Sequence, residues 1–490
     1  MEKVTVNRNQ MISDLMKIGH GDLSIYLDSG IKAAKEDPEL FGHFISWNQK
    51  NGEVRDSKSA FPILALRGIK NDELFENAMA NLCLLDPRTF LKGIYYHKSL
   101  ASNGTAVTEG GGRFLKTAVD LYLGSRQSGA ARDRSILQHR KSMKALYAMY
   151  HIKPDPVSEA VLFHGKRPKN SIFDYVSRLK DMSPQEAAGT ILNKRIPFLV
   201  AVGALGGIKD KPDVIMALMN NMSGAELINN TGSLKRMGIF ENDVLSAAYE
   251  NALTKAKKDK KVSTLKAGVA AKAVKGTKVA KKLKSVRTEK LEQLGGIEGN
   301  WLVLGDKSYS MRSSISVAKQ LASIISQQVK GTTHLIFFDT GASKIIDATS
   351  MDLDTIEKES RFVSAGGGTC IGIGLEYMIR NNIIVNGIAI ASDGGENNHP
   401  TFAATYKKYS DKFGIEPTVY FYHVPGDPDR LSGSMDMASI QYDRFELGSN
   451  VDYYSLPNLV KTMRANRFAL VDEMMEMPLL TFKDVFEKGV

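Results

Sequence analysis

The sequence predicts a multidomain chain in which an α-solenoid is joined to an α/β domain with a doubly wound parallel sheet. Three observations predict it. Residues 1–250 carry apolar positions at three- and four-residue spacing, and few segments alternate with period two. From residue 297 onward, short apolar runs alternate with amphipathic helical patterns. At 490 residues the chain is also too long for a single core.

The helical pattern is plain in LFGHFISWNQ, DELFENAMANLCLL, GRFLKTAVDLYL and KSMKALYAMY. Breaks fall at Asp37–Pro38, Asp86–Pro87, Lys153–Pro154 and in Gly-rich stretches. Short amphipathic helices in series can bury their apolar faces only against their neighbours, which predicts stacked helical pairs. No strict period is present, so the repeats are degenerate. Residues 253–290 differ, with 14 Lys and Arg against Asp259 and Glu289 and no aromatic residue. Two readings stay open there. The segment is a solvated flexible linker, or VSTLKAGVAAKAV forms a helix, despite Gly268, whose lysines meet phosphates.

The later strands are read at WLVLG (301–305), HLIFF (334–338), GIAIA (387–391) and PTVYFYHV (417–424). Each is a nearly continuous apolar run, as expected of a strand covered on both faces. SSISVAKQLASIISQQV, GIGLEYMIRN and TFAATYKKYSDKFG lie between them as helices. A β-α-β-α-β-α-β order gives a parallel sheet, and ligands bind such sheets at the carboxyl ends of the strands. The expected domains are therefore 1–290, with its basic segment 253–290, and 297–490.

Composition narrows the function. The chain is 43% hydrophobic and 24% charged, and no apolar run approaches the ~18 residues of a membrane span. MEKVTVNRNQMISDL has no apolar h-region, so no secretory signal is read. Two cysteines, Cys83 and Cys370, argue against a disulfide framework or a Cys-based zinc site and suit a reducing cytoplasm. Residues 297–490 hold 18 Lys and Arg against 24 Asp and Glu, a net of −6. Residues 1–296 hold 47 against 30, a net of +17. A surplus of that size points to a polyanionic partner, most often nucleic acid.

In WLVLGDKSYSM the first apolar strand ends in Asp306, with Ser308 and Ser310 at alternate positions. Residues two apart in an extended segment point the same way, so three oxygens can address one point. SAGGGTCIGIGL offers Thr369 after three glycines, and GIAIASDGGEN ends a further strand in Asp393. Oxygen ligands of this kind suit Mg²⁺ or another divalent cation that keeps part of its water shell. The alternative is that Ser308 and Ser310 only cap the following helix. The set resembles the metal-ion-dependent adhesion site of von Willebrand factor A domains, D-x-S-x-S…T…D. The resemblance implies that Asp306, Ser308, Ser310, Thr369 and Asp393 hold a metal that binds a partner's carboxylate, without catalysis. Cys370 and Lys307 depart from the usual pattern; Lys307 should point to the alternate face. His334, His399 and His423 lack ligand spacing and default to core or surface roles.

The basic half concentrates Arg132, Arg134, His139, Arg140, Lys141, Lys144, His151 and Lys153 in RDRSILQHRKSMKALYAMYHIKP. Met143, Leu146, Tyr147 and Tyr150 recur at helical spacing, and Lys144 and His151 are read on one face. A cationic stripe beside tyrosines suits single-stranded RNA, which needs phosphate neutralisation and base stacking. An ordinary surface helix with its tyrosines in the core is the competing reading.

This stretch resembles the TROVE module of the Ro ribonucleoprotein autoantigen family. GRFLKTAVDLYL, with Arg113 and Lys116, LNKRIPFLVAVGAL and MSGAELINNTGSLKRMGIF are similar to its other repeats. Ala148 stands where the family often has arginine. Joined to the A domain, the resemblance covers nearly the whole chain and suggests a bacterial or phage-type member. It implies a ring of HEAT-like helical repeats closed by the A domain. It also implies a non-enzymatic, monomeric ribonucleoprotein of RNA quality control. Such a protein binds small Y-like RNAs and single-stranded 3′ ends of misfolded RNAs, with an exoribonuclease as a further partner. Gly110–Gly112 is not a phosphate loop, because no Gly-Lys-Ser/Thr follows. Two other classes stay in view: a metal-dependent adhesion or co-chaperone module on a basic scaffold, and a phosphohydrolase using Asp306 and Asp393.

Overall fold

The computed structural model describes residues 8–258, 264–292, 297–447 and 467–487, together with Val262 and Met463. The Asp-Pro steps that read as breaks are helix starts. Asp37 accepts from Leu40 N–H at 3.0 Å with Pro38 in the first turn of helix Pro38–Asn51. Asp86 does the same for Pro87–Ser102, and Asp155, after the Lys153–Pro154 step, for Pro156–Leu162. The carboxylate satisfies an orphan N–H, and proline has no N–H to lose there.

Alternate helices stack. Ser24–Glu36 packs on Ser57–Ala65, which packs on Pro87–Ser102, which packs on Gly129–Tyr150. In the second row Pro38–Asn51 packs on Asp72–Cys83, which packs on Gly111–Gly124. Each helix thus meets the second one after it, the two-layer order of a solenoid. Tyr26, Phe41, Phe44 and Phe61 fill the first layers, with ring centroids 5.3–6.4 Å apart. Each such buried aromatic contributes roughly 1.5–3 kcal/mol.

The lysine-rich segment is largely helical among the described residues, at Asp243–Lys258, Thr264–Ala273 and Lys278–Glu292, with a turn at 274–277. It is not the solvated linker of the first reading. Ala267, Ala270, Ala271, Val274, Val279, Leu283 and Val286 are buried in one core with Leu227, Leu234 and Tyr249. Lys266, Lys275, Lys278, Lys281 and Lys282 are exposed.

The α/β unit holds six strands among the described residues: β1 (Trp301–Asp306), β2 (Thr333–Phe338), β3 (Ile346–Asp347), β4 (Gly387–Ser392), β5 (Thr418–His423) and β6 (Tyr442–Glu446). Their order is β3-β2-β1-β4-β5-β6, parallel except for β3. Trp301 and Val303 face one core with helix Arg312–Ser326, while Leu302 and Leu304 face the other with Gly372–Arg380 and Phe402–Phe413. Both faces being covered explains the unbroken apolar runs. At Gly305 a Cβ would lie 2.6 Å from Ala318 Cβ, so glycine lets the helix approach β1.

The compact units differ from the expected 1–290 and 297–490 at both ends. Gly21–Lys290 groups with the segment from Met474 on, and Leu291–Glu473 groups with the segment 8–20. The carboxyl-terminal segment joins the helical unit through backbone bonds: Leu480 N–H to Asn77 Oδ1 at 2.8 Å and Phe482 N–H to Glu76 Oε1 at 2.9 Å. Nothing in the local pattern of those residues names such distant acceptors.

Candidate functional site

The chain crosses from β2 on one side of β1 to β4 on the other, and ligand sites in open α/β sheets lie at the carboxyl ends flanking such a crossing. Asp306 ends β1 and Asp393 follows β4. Both are buried, as are Ser308 and Thr369. Asp306 Oδ1 accepts from Ser308 N–H at 2.8 Å and Oδ2 from Ser392 Oγ at 2.5 Å. Asp393 accepts from Gly395 N–H and Asp427 N–H, each at 2.8 Å. Gly366 N–H donates to Lys307 O at 2.7 Å and Tyr309 N–H to Gly367 O at 3.3 Å, which brings the Thr369 loop to the Asp306 loop.

Burial pushes the Asp306 carboxyl up to about 6; hydrogen bonds from Ser392 and Ser308 oppose this and the charge of Asp393 adds to it. Two buried carboxylates that repel one another, with hydroxyls beside them, form an oxygen-only donor set for a hard cation. Asp306 accepts from Ser308 N–H, the Ser308 side chain and Ser392, and Asp393 accepts from two N–H groups, so lone pairs remain on both carboxylates. The residues therefore fit a divalent ion held by Asp306, Ser308, Thr369 and Asp393. Among the described residues no group of three or more His, Cys, Asp or Glu could hold a metal, so hydroxyls and water must complete any shell here.

Ser310 departs from expectation. The strand ends at Asp306, and Met311 N–H closes a turn onto Ser308 O at 2.9 Å, so alternation stops after Ser308 and Ser310 is exposed. The capping alternative for the serines finds no support: the helix Arg312–Ser326 starts at Met311 without a side-chain cap. Lys307 pairs with Asp339, a carboxylate outside the set.

The ten candidate RNA contacts lie on or near helices Gly111–Gly124 and Gly129–Tyr150, and they do not form one stripe. Lys116, Arg134, Lys141, Lys144, His151 and Lys153 are exposed, with no ion pair among the described residues. Arg113 pairs with Asp72. Arg132 is tied to Asp133 at 2.8 Å and Asp155 at 3.3 Å, and Arg140 donates to Val161 O at 2.7 Å. These two arginines anchor the fold locally. His139 sits at a kink (φ −134°, ψ 37°), 3.8 Å from Asp86. Helical spacing ends at Tyr150, and His151 adopts a left-handed conformation (φ 53°), so the shared face with Lys144 does not carry through. Tyr147 is buried and Tyr150 half-buried, so Tyr147 is core rather than a stacking platform.

Sequence reasoning missed Phe163, 37% exposed, with Lys144 Nζ 5.4 Å from its ring centroid. It also missed Arg55, Arg88 and Lys266. Arg55 pairs with Asp86. Burial holds His139 below its usual range, with Arg55 and Arg88 adding and Asp86 opposing. Partial burial likewise lowers Lys266, with Arg55 adding and Glu53 opposing. These cations come from three distant segments, and no local signal could have grouped them.

The crystal structure of the Deinococcus radiodurans Ro (RSR) protein matches this chain with a TM-score of 0.62, over 94% of this chain and 99% of that one. This chain has a Ro-like fold. The identity is 14%, so the likeness is one of architecture, helical repeats and α/β unit together. No family model matches the sequence, and no curated protein matches it.

Proposed function

We propose that this chain is a non-catalytic RNA-binding protein of Ro type. It binds small noncoding Y-like RNAs and single-stranded ends of misfolded RNAs and serves RNA quality control or degradation in the cytoplasm, as a monomer working with an exoribonuclease. The observation that carries this reading is the charge partition on a Ro-like fold. Residues 1–296 hold a net of +17, and Lys116, Arg134, Lys141, Lys144, His151 and Lys153 stand exposed there. Exposed, unpaired cations neutralise phosphates, and Phe163 beside Lys144 offers an aromatic surface for a base. Arg88 and Lys266, both exposed, extend the cationic surface.

In the α/β unit, Asp306, Ser308, Thr369 and Asp393 hold Mg²⁺ or a similar ion, with Ser310 at the rim. Bound there, the ion supplies an electrophilic centre for a partner's carboxylate. The surrounding backbone bonds fix the positions of the oxygens. Sequencing RNA that co-purifies with the chain tests the main reading. Structured small RNAs and RNA 3′ ends are expected. Protein free of nucleic acid, by its absorbance ratio at 260 and 280 nm, would contradict it.

A further inference from the structure

The loop after β4 is bonded to the Thr369 loop in a manner the five-residue motif does not require. Asn397 Oδ1 accepts from Thr369 N–H at 2.9 Å. The N–H groups of Asn397 and Asn398 both donate to Thr369 O, at 3.1 and 3.0 Å. Thr369 is thus held at both backbone groups by residues that closely follow Asp393.

Glu396, 8% exposed, turns its carboxylate to two helix starts. Its Oε1 accepts from Ile371 N–H at 3.0 Å and Gly372 N–H at 3.4 Å, where helix Gly372–Arg380 begins just after Thr369. The same oxygen accepts from Phe402 N–H at 2.9 Å, where helix Phe402–Phe413 begins after the Asp393 loop. The first N–H groups of a helix lack intrahelical partners and carry partial positive charge. One anion shared by two such ends ties them together. Burial opposes the charge and pushes this carboxyl up to about 7, while the three N–H donors pull it down. A buried carboxylate is costly unless its hydrogen bonds are made, and here they are made to both sides of the oxygen site.

We propose that Glu396 and Asn397 are a positioning pair for the oxygen site. Glu396 ties the helix after Thr369 to the helix after Asp393, and Asn397 fixes Thr369 itself. Together they set the spacing of hydroxyl and carboxylate that a divalent cation requires. The proposal rests on reading Asp306, Ser308, Thr369 and Asp393 as a cation site.

Calorimetric titration of the full chain with MgCl₂ and MnCl₂ tests it, alongside thermal unfolding in EDTA. Asn397 is exposed, so Asn397→Ala should leave the melting temperature near wild type. Both Asn397→Ala and Glu396→Ala should weaken cation affinity about tenfold or more, as loss of an outer hydrogen-bonding partner does at metal sites. Glu396→Gln keeps an acceptor oxygen and should restore most of the affinity. Asp352 caps helix Leu353–Glu359 elsewhere in the unit, accepting from Thr355 N–H at 2.9 Å. Asp352→Ala should lower the melting temperature and leave affinity unchanged. Wild-type affinity in Asn397→Ala would overturn the proposal, whether or not Glu396→Ala folds. So would an equal loss in Asp352→Ala, which would mark the effect as general destabilisation. A wild-type chain that takes up neither ion would instead overturn the cation reading beneath it.

Discussion

Asp306 is fully buried, and its carboxyl is raised to about 6, chiefly by burial. An acid with a raised pKa binds its proton more tightly in the folded chain than in the unfolded one. The stability this supplies is full below about pH 4 and is lost as pH rises through about 6. In EDTA, Asp306→Asn should therefore raise stability at pH 8 by on the order of 2 kcal/mol, and the gain should shrink towards zero near pH 4. Melting curves at the two pH values check this, and an equal gain at both would contradict it. Phe163 and Tyr147 make a second contrast. Phe163→Ala should weaken binding of single-stranded RNA by roughly 1–3 kcal/mol, the usual worth of one stacked base, without changing the melting temperature. Tyr147 is buried, so Tyr147→Ala should destabilise the fold by about 3 kcal/mol or more. Filter binding and thermal unfolding separate the two effects.

Helices Thr264–Ala273 and Lys278–Glu292 show how a charge-dense segment can still fold. Ala267, Ala270, Ala271, Val279 and Val286 are small enough to sit close against the neighbouring helices, while Lys266, Lys278, Lys281 and Lys282 take outer positions. Ala270→Glu places a carboxylate in that core and should lower the melting temperature of the helical unit sharply, by several kcal/mol. Lys275→Glu, at an exposed position, should leave it near wild type. Equal melting temperatures for the two variants would point to an unpacked segment. The segment remained ambiguous in sequence because Ala and Val carry a weak periodic signal. Strands β1, β2, β4 and β5 were legible because each is apolar on both faces. The two-residue β3 gives no pattern, and β6, YDRFE, mixes charge with apolar positions at the edge of the sheet. Of the proposed oxygen set, Asp306 and Asp393 stand out in the sequence because each ends an apolar strand run, Ser308 by its spacing from Asp306, and Thr369 by the three glycines before it. Ser310 lies exposed because the chain turns at Ser308, which alternation alone does not foresee, and Glu396 and Asn397 are bonded to backbone groups distant in sequence.

The chain divides into a basic helical part and an acidic α/β part, and each proposed function is assigned to one of them. The two-part architecture was legible from the change of period near residue 297. The exchange of terminal segments was not, since docking of an end depends on its partner surface. Asp306→Ala should abolish Mg²⁺ uptake and leave RNA affinity within about twofold, because RNA binding rests on phosphate contacts in the other unit. Calorimetry and RNA titration of the same preparation check that separation. The central claim is that exposed lysines and arginines of the helical unit neutralise RNA phosphates, and the salt dependence of binding to a labelled single-stranded RNA tests it most directly. Each phosphate neutralised contributes a slope of about −0.7 in log affinity against log salt. The wild-type chain should show a steep linear fall, and Lys116→Glu/Lys141→Glu/Lys144→Glu should bind weakly with a slope shallower by about 2. Salt-independent binding, or a triple variant indistinguishable from wild type, would contradict the account.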